Sequence, residues 1–228
     1  MDIQDLTRED LTALINPQTI AVIPLGAAAK EHGAHLPLAN DFNLAVALSK
    51  LLSDPDVLLL PPVNYFHYPA FSSYPGSVSL RVETSVDLIT DITRCVSSWG
   101  IRYVYVLNTG LSTMRVLEAA QNALRRDQIH FAYTDITTVG LPVEADLQQQ
   151  TAGSHADELE TSMMLWLRPD TVRSERFVND VTSAPFGLQT RPSGVYGQPG
   201  LASAEKGRAI TRQWLVNIQL DLDRLRSG

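Results

Sequence analysis

Four short apolar runs alternate with stretches of helical periodicity along this chain. Residues 19–25 are almost continuously apolar, the pattern of a strand covered on both faces. Residues 57–60 form a second run, closed by Pro61 and Pro62; residues 103–107 form a third and 130–134 a fourth. Helical spacing fills the gaps. Residues 6–15 read as a short amphipathic helix with Thr7 as N-cap and Glu9 and Asp10 in its first turn. Residues 42–52 read as a helix capped by Asp41. Residues 84–99 carry Val86, Ile89, Ile92, Val96 and Trp99 on one stripe and stop at Gly100. Further helices are expected over 114–125, over 155–167 with Pro169 beyond, and over 202–225 with Ile210, Trp214, Ile218, Leu220 and Leu225. Residues 141–153 read as polar and irregular, and the long loop over 63–77 is ordered by its aromatic side chains. Strands alternating with helices predict a three-layer α/β/α sandwich with a mostly parallel central sheet, one domain over residues 1–228, and a site at the strand carboxyl ends.

Composition narrows the class. With 228 residues, 44% of them hydrophobic, the chain has material for one sizeable core. A net charge of -7 disfavours nucleic acid and anionic membrane surfaces as partners and leaves a small molecule or a protein. No apolar run reaches the ~20 residues of a membrane span. The opening Met-Asp-Ile-Gln-Asp has neither the basic nor the apolar region of a signal peptide, so a cytoplasmic location is expected. The single cysteine, Cys95, cannot form an internal disulfide, and its helical apolar setting reads as a buried small hydrophobe.

The chemistry concentrates in two places. Residues 30–41 follow the first strand and hold Lys30, Glu31, His32, His35 and Asp41, including two of the five histidines. Imidazole nitrogen with carboxylate oxygen is a ligand set for zinc, manganese or iron, and a divalent ion there would bring a bound water's pKa from ~15.7 to about 7. Metal ligation usually takes three or four protein groups, so one loop is not enough. The second place is residues 154–162, Ser-His-Ala-Asp-Glu-Leu-Glu-Thr-Ser. Acids at a helix start explain Asp157 and Glu158. They do not explain His155, or Glu160 ahead of Met-Met-Leu-Trp. His155 has the pKa range for acid/base work. Residues 108–113, Asn-Thr-Gly-Leu-Ser-Thr, lack a phosphate loop's glycines and read as a strand-to-helix turn with Thr113 as N-cap, walling the pocket with Asn108 and Ser112 as substrate contacts. His67, between Phe66 and Tyr68, is either a packed histidine or a substrate contact, and His130 is packed or exposed.

Residues 32–41, His-Gly-Ala-His-Leu-Pro-Leu-Ala-Asn-Asp, resemble the His-Gly-Pro-His-Leu-Pro-Leu-x-x-Asp signature of the creatininase (creatinine amidohydrolase) family. Residues 74–77, Tyr-Pro-Gly-Ser, resemble its Phe-Pro-Gly-Thr turn; residues 155–162 resemble its His-Ala-Gly-Glu-x-Glu-Thr-Ser; residues 194–197 and 202–207 resemble its closing segment. The resemblance implies an α/β fold, homo-oligomers (hexamers in well-known members), and hydrolysis of C–N bonds in cyclic or formyl amides at a two-metal site. Carried over by position, it makes His32 a ligand, Asp41 a bridge between two ions, His155 the acid/base, and Glu160 a neighbour of metal or substrate. Two departures stand out. Lys30 occupies the place of a family glutamate, which Glu31 fills only if the register shifts by one, and Gly110 stands where the family has a ligand histidine. The ammonium of Lys30 either stands in for a cation or points to solvent. The expected function is a metal-dependent amidohydrolase acting on a small, compact amide, with one or two divalent ions per chain (Zn, Mn or Fe). The metal set is Glu31, His32, Asp41 and Glu160; the catalytic pair is His155 and Lys30; the substrate contacts are Asn108, Ser112 and His67. The alternative is a family member without catalysis that binds a ligand or serves in assembly. Specificity is expected from loops 63–77, 109–113 and 185–200.

Overall fold

The computed structural model describes residues 1–182 and 191–227. Four parallel strands form one sheet in the order β2-β1-β3-β4: β1 Ile20–Leu25, β2 Val57–Leu59, β3 Tyr103–Asn108 and β4 His130–Tyr133. The central strand β1 is buried along its whole length, as its unbroken apolar run requires. Successive side chains leave opposite faces of the sheet. Ala21, Ile23 and Leu25 therefore join one core with Val104 and Val106, while Ile20 and Val22 join the other with Tyr105 and Leu107. Each fully buried Ile or Leu contributes roughly 1.5–3 kcal/mol.

The first core is covered by α1 (Arg8–Leu14), α3 (Val82–Ser97) and α4 (Met114–Leu124). The second is covered by α2 (Asn40–Ser49), α6 (Glu158–Leu167) and α7 (Ala204–Ser227), with the short helix α5 (Val143–Leu147) beside them. The architecture is the expected α/β/α sandwich. Helix α6 lies hard against α7: a Cβ on Gly207 would sit 1.8 Å from the Ser162 carbonyl oxygen. Among the described residues no helix is long and apolar enough to cross a membrane.

Several local expectations are corrected. Thr7 caps α1 through a reciprocal capping box with Asp10, as expected. Asp41 does not cap α2; the helix begins at Asn40, two residues earlier than expected, and Asp41 lies in its first turn, its carboxylate turned to other partners. Thr113 holds the N-cap position of α4, as expected, but its hydroxyl makes no capping bond and points back at the Asn108 side chain and the Gly110 carbonyl. His155 lies before α6 rather than in it, because Asp157 is the N-cap. Residues 141–153 include the five-residue α5. Cys95 is exposed, since the buried stripe of α3 runs through Ile89, Thr93 and Val96 instead. Part of the expected specificity loop, 185–190, lies outside the described residues.

Candidate metal centre

The centre begins where β1 ends. Gly26 is required there by close approach: a Cβ would lie 2.2 Å from the Asp41 carbonyl oxygen. Phe42 N–H donates to the Ala27 carbonyl at 3.1 Å, and the Thr109 hydroxyl lies 3.1 Å from the carbonyls of both Leu25 and Asp41. These contacts hold the start of α2 against the ends of β1 and β3. The loop between folds back on itself: Lys30 N–H donates to the Leu38 carbonyl at 3.0 Å, and Glu31 N–H donates to the Ser77 hydroxyl at 2.9 Å. Gly33 makes the turn with a φ of 70°.

His32 sits at the middle and is fully buried. Its Nδ1 donates to the Lys30 carbonyl at 2.8 Å, which turns Nε2 toward Asp41 Oδ1 at 2.7 Å and Glu160 Oε1 at 3.5 Å. The other Asp41 oxygen, Oδ2, lies 2.6 Å from Lys30 Nζ. Lys30 is itself buried, and its ammonium lies 4.9 Å from the Phe71 ring centre and 5.7 Å from that of Tyr68. Glu160 is fixed at both oxygens: Asn40 Nδ2 donates to Oε1 at 2.8 Å and Ala156 N–H donates to Oε2 at 2.7 Å. His155 stacks 4.7 Å from His32 and 4.3 Å from Phe71, and its Nε2 donates to the Glu31 carbonyl at 2.7 Å. Ligand atoms of His32, His155 and Glu160 lie within 4.8 Å of one another.

The segment carrying His155 and Glu160 has its own scaffold. Residues 155 and 196 form an isolated bridge, with Tyr196 N–H donating to the His155 carbonyl at 2.9 Å. Ala156 adopts a left-handed φ of 48°, which turns the chain into α6. Asp157 Oδ1 then accepts from the Leu159 and Glu160 N–H groups at 3.0 Å each, and Gln150 Nε2 donates to Asp157 Oδ2 at 2.7 Å. Glu158 accepts from the backbone of Gln149 and Gln150 and pairs with Lys206 of α7. Its buried carboxylate is thus structural, anchoring the loop ahead of α6.

Charge is sharply divided inside the centre. Burial opposes a charge on His32, but Asp41 overrules it, and with Glu160 helping against Lys30 the imidazole is pushed up to about 9. Burial likewise works against the Asp41 carboxylate, and Lys30 and His32 overrule it, holding that carboxyl well below its usual range. Burial, then repulsion from His32 and Lys30, keeps His155 well below the ordinary histidine range, so its ring is neutral at pH 7.

The structure therefore brings together Lys30, His32, Asp41, His155 and Glu160, and it turns Lys30 inward rather than to solvent. It does not bring in the Glu31 carboxylate, which lies against Gly194 while only its carbonyl reaches His155. His35 is buried behind the centre, its Nε2 at 3.0 Å from the Thr161 hydroxyl, and burial holds it down to about 4. The side chains of the three expected substrate contacts are taken up by main-chain and hydroxyl partners. Asn108 donates to the Gly110 and Thr134 carbonyls and accepts from Gly110 N–H and the Thr113 hydroxyl. Ser112 donates to the His67 carbonyl, and His67 Nδ1 donates to the Leu80 carbonyl. Sequence reasoning missed Asn40, Tyr68 and Phe71. Asn40 stands beside Asp41 in the motif and could have been weighed with it. Nothing in the sequence says that aromatic rings 38 and 41 residues downstream close over Lys30.

The creatininase family profile, described as creatinine amidohydrolase, matches residues 4–218. The chain belongs to the creatininase family. A mycofactocin precursor peptide peptidase from Mycobacterium ulcerans (strain Agy99) is 27% identical over 210 residues, 83% of this chain and 78% of that protein. A creatinine amidohydrolase from Pseudomonas putida is 25% identical over 218 residues, 84% of each. Among solved structures, a single-substitution creatininase variant superposes with a TM-score of 0.83 at 24% identity, covering 99% of this chain and 97% of that one. A manganese creatininase and a Zn-Zn form of another variant each reach 0.79, at 23% and 22% identity, with the same coverage. These creatininase neighbours share the parallel-sheet α/β fold, and the two named activities of the relatives both break C–N bonds.

Proposed function

We propose that this creatininase-family chain is a metal-dependent hydrolase of a C–N bond in a small, compact amide. The carrying observation is the convergence on His32 Nε2 of two carboxylate oxygens from distant segments, Asp41 Oδ1 at 2.7 Å and Glu160 Oε1 at 3.5 Å. The donor chemistry fits a divalent ion. His32 gives its Nδ1 proton to a main-chain carbonyl, the outer bond that fixes a metal-binding imidazole. Both acids are ordered by further hydrogen bonds or pairing, and the buried Asn40 Oδ1 has no partner among the described residues.

In this reading His32, Asp41 and Glu160 hold the ion. A divalent ion so held supplies carbonyl polarisation and acidifies water at neutral pH. The protein does the rest. His155 is neutral and anchored at Nε2–H by the Glu31 carbonyl, which makes Nδ1 the basic ring nitrogen, the atom that takes up a proton and passes it to the leaving nitrogen. Asn40 and Ala156 N–H orient Glu160. The low exposure of the cluster strengthens its electrostatics. Zinc and manganese both suit this nitrogen and oxygen set, as iron would. The named activities of the relatives span creatinine and a precursor peptide, which adds a peptide bond to the cyclic and formyl amides expected from the sequence.

Release of amine from lactams, formamides and short peptides, with and without chelator, tests the reading. Turnover that chelation abolishes, and that His155→Gln loses while keeping its metal, is the expected result. A metal-loaded protein inert toward every amide class would instead favour the ligand-binding alternative, which Gly110 at the family's histidine position supports.

A further inference from the structure

We propose that the Lys30 ammonium is a resident second cation, occupying Asp41 Oδ2 so that this centre loads one divalent ion per chain rather than two. The inference rests on the reading that His32, Asp41 and Glu160 hold an ion, and deepens it by fixing the stoichiometry. A carboxylate can serve two cationic centres, one at each oxygen. In this chain the two oxygens of Asp41 face different ways: Oδ1 toward His32 Nε2 at 2.7 Å, and Oδ2 toward Lys30 Nζ at 2.6 Å. The second position is filled by covalently attached charge.

The ammonium is built in. Its residue is 6% exposed, and an ion pair this deep survives only with its partner in place. The aromatic faces of Phe71 and Tyr68 lie 4.9 and 5.7 Å from Nζ, favouring a cation on that side of Asp41. The main chain of Lys30 is fixed as well: its N–H is bound to the Leu38 carbonyl, and its carbonyl holds His32 Nδ1. A second metal ion on Oδ2 would have to displace this ammonium or sit against it, and two cations in that space repel. The same residue thus sets the tautomer of the metal-binding imidazole through its carbonyl and closes the neighbouring position through its side chain.

Counting ions tests this directly. Chelator-stripped protein is titrated with zinc or cobalt(II) by calorimetry, and bound metal is measured by elemental mass spectrometry after desalting. The wild type should take one equivalent. Lys30→Met keeps the stem against Phe71 and removes the charge; it should bind a second ion at least about tenfold more tightly than the wild type does. Lys30→Glu should retain two equivalents through desalting. Melting curves establish that each variant is folded. Two equivalents in the wild type, or a single equivalent in both folded variants, would overturn the role of Lys30 and leave the single-ion reading of the other residues standing. If neither variant folds, the wild-type count alone decides. A wild type that binds no ion would remove the metal reading itself, and this inference with it.

Discussion

Strands β1 and β3 lie side by side with Leu25 opposite Asn108, yet their carboxyl ends follow opposite rules. The β1 end sends its polar side chains outward to remote segments: Lys30 to Asp41, and His32 toward Glu160 across 128 positions of chain. The β3 end commits its polar side chains to main-chain and hydroxyl partners. Asn108 spends its amide on Gly110, Thr113 and Thr134, and the Ser112 hydroxyl spends its donor on His67. Both ends sit where α/β proteins place ligands, but only one carries ionisable groups that can exchange partners. Position in the fold makes a site available; side chains with something left to bind make it chemical.

Backbone packing should give the largest contrast. A methyl group at Gly26 meets main chain, the Asp41 carbonyl oxygen at 2.2 Å, whereas one at Gly110 meets the Thr113 methyl at 3.1 Å. Gly26→Ala should therefore abolish soluble folded protein. Next comes charge. Asp41→Ala strands the Lys30 ammonium in the interior and should cost about 3–5 kcal/mol in chemical denaturation, together with loss of the ion. Asn108→Ala takes away the acceptor of the Gly110 N–H, while the Thr113 hydroxyl keeps the Gly110 carbonyl, and should cost about 1–3 kcal/mol while metal content stays unchanged. A variant at 108 that lost its metal would break the contrast between the two strand ends.

Titration sharpens the contrast further. His32 must release its Nε2 proton to bind an ion, and its pKa is pushed up to about 9. Below that pH, apparent ion affinity should fall about tenfold per unit, as calorimetry at several pH values would register. In the ion-free protein the linkage runs the other way. A raised histidine pKa adds stability that is complete below the unfolded value near 6.5 and is lost as pH rises through about 9. Ion-free protein should thus melt at progressively lower temperature across that window, and a flat melting profile would count against a charged His32. The smallest effect is expected at Gly110→Ala, within about 1 kcal/mol of the wild type, because only a side chain has to give.

The layers of the fold were legible because unbroken apolar runs and helical stripes leave few packings other than a covered parallel sheet. The caps were less so. Asp41 reads as a helix cap by its place in sequence, but a carboxylate between Lys30 and His32 has stronger partners than a backbone N–H. His32, Asp41, His155 and Glu160 were legible as a set because two His/acid clusters far apart in sequence match the family's motifs in order. Glu31 was misplaced for a geometric reason: adjacent side chains in the loop leave on different sides, so the inward turn of Lys30 and His32 sends its carboxylate toward Gly194. Cys95 shows the limit of helical spacing, since a half-turn error in phase moves a residue from core to solvent.

Anomalous diffraction from crystals grown with zinc or manganese is the most direct check that His32, Asp41 and Glu160 hold an ion. One peak per chain is expected, within coordination distance of His32 Nε2, Asp41 Oδ1 and Glu160 Oε1. A metal-soaked crystal with no peak there, and with His32 still donating to Asp41, would contradict it.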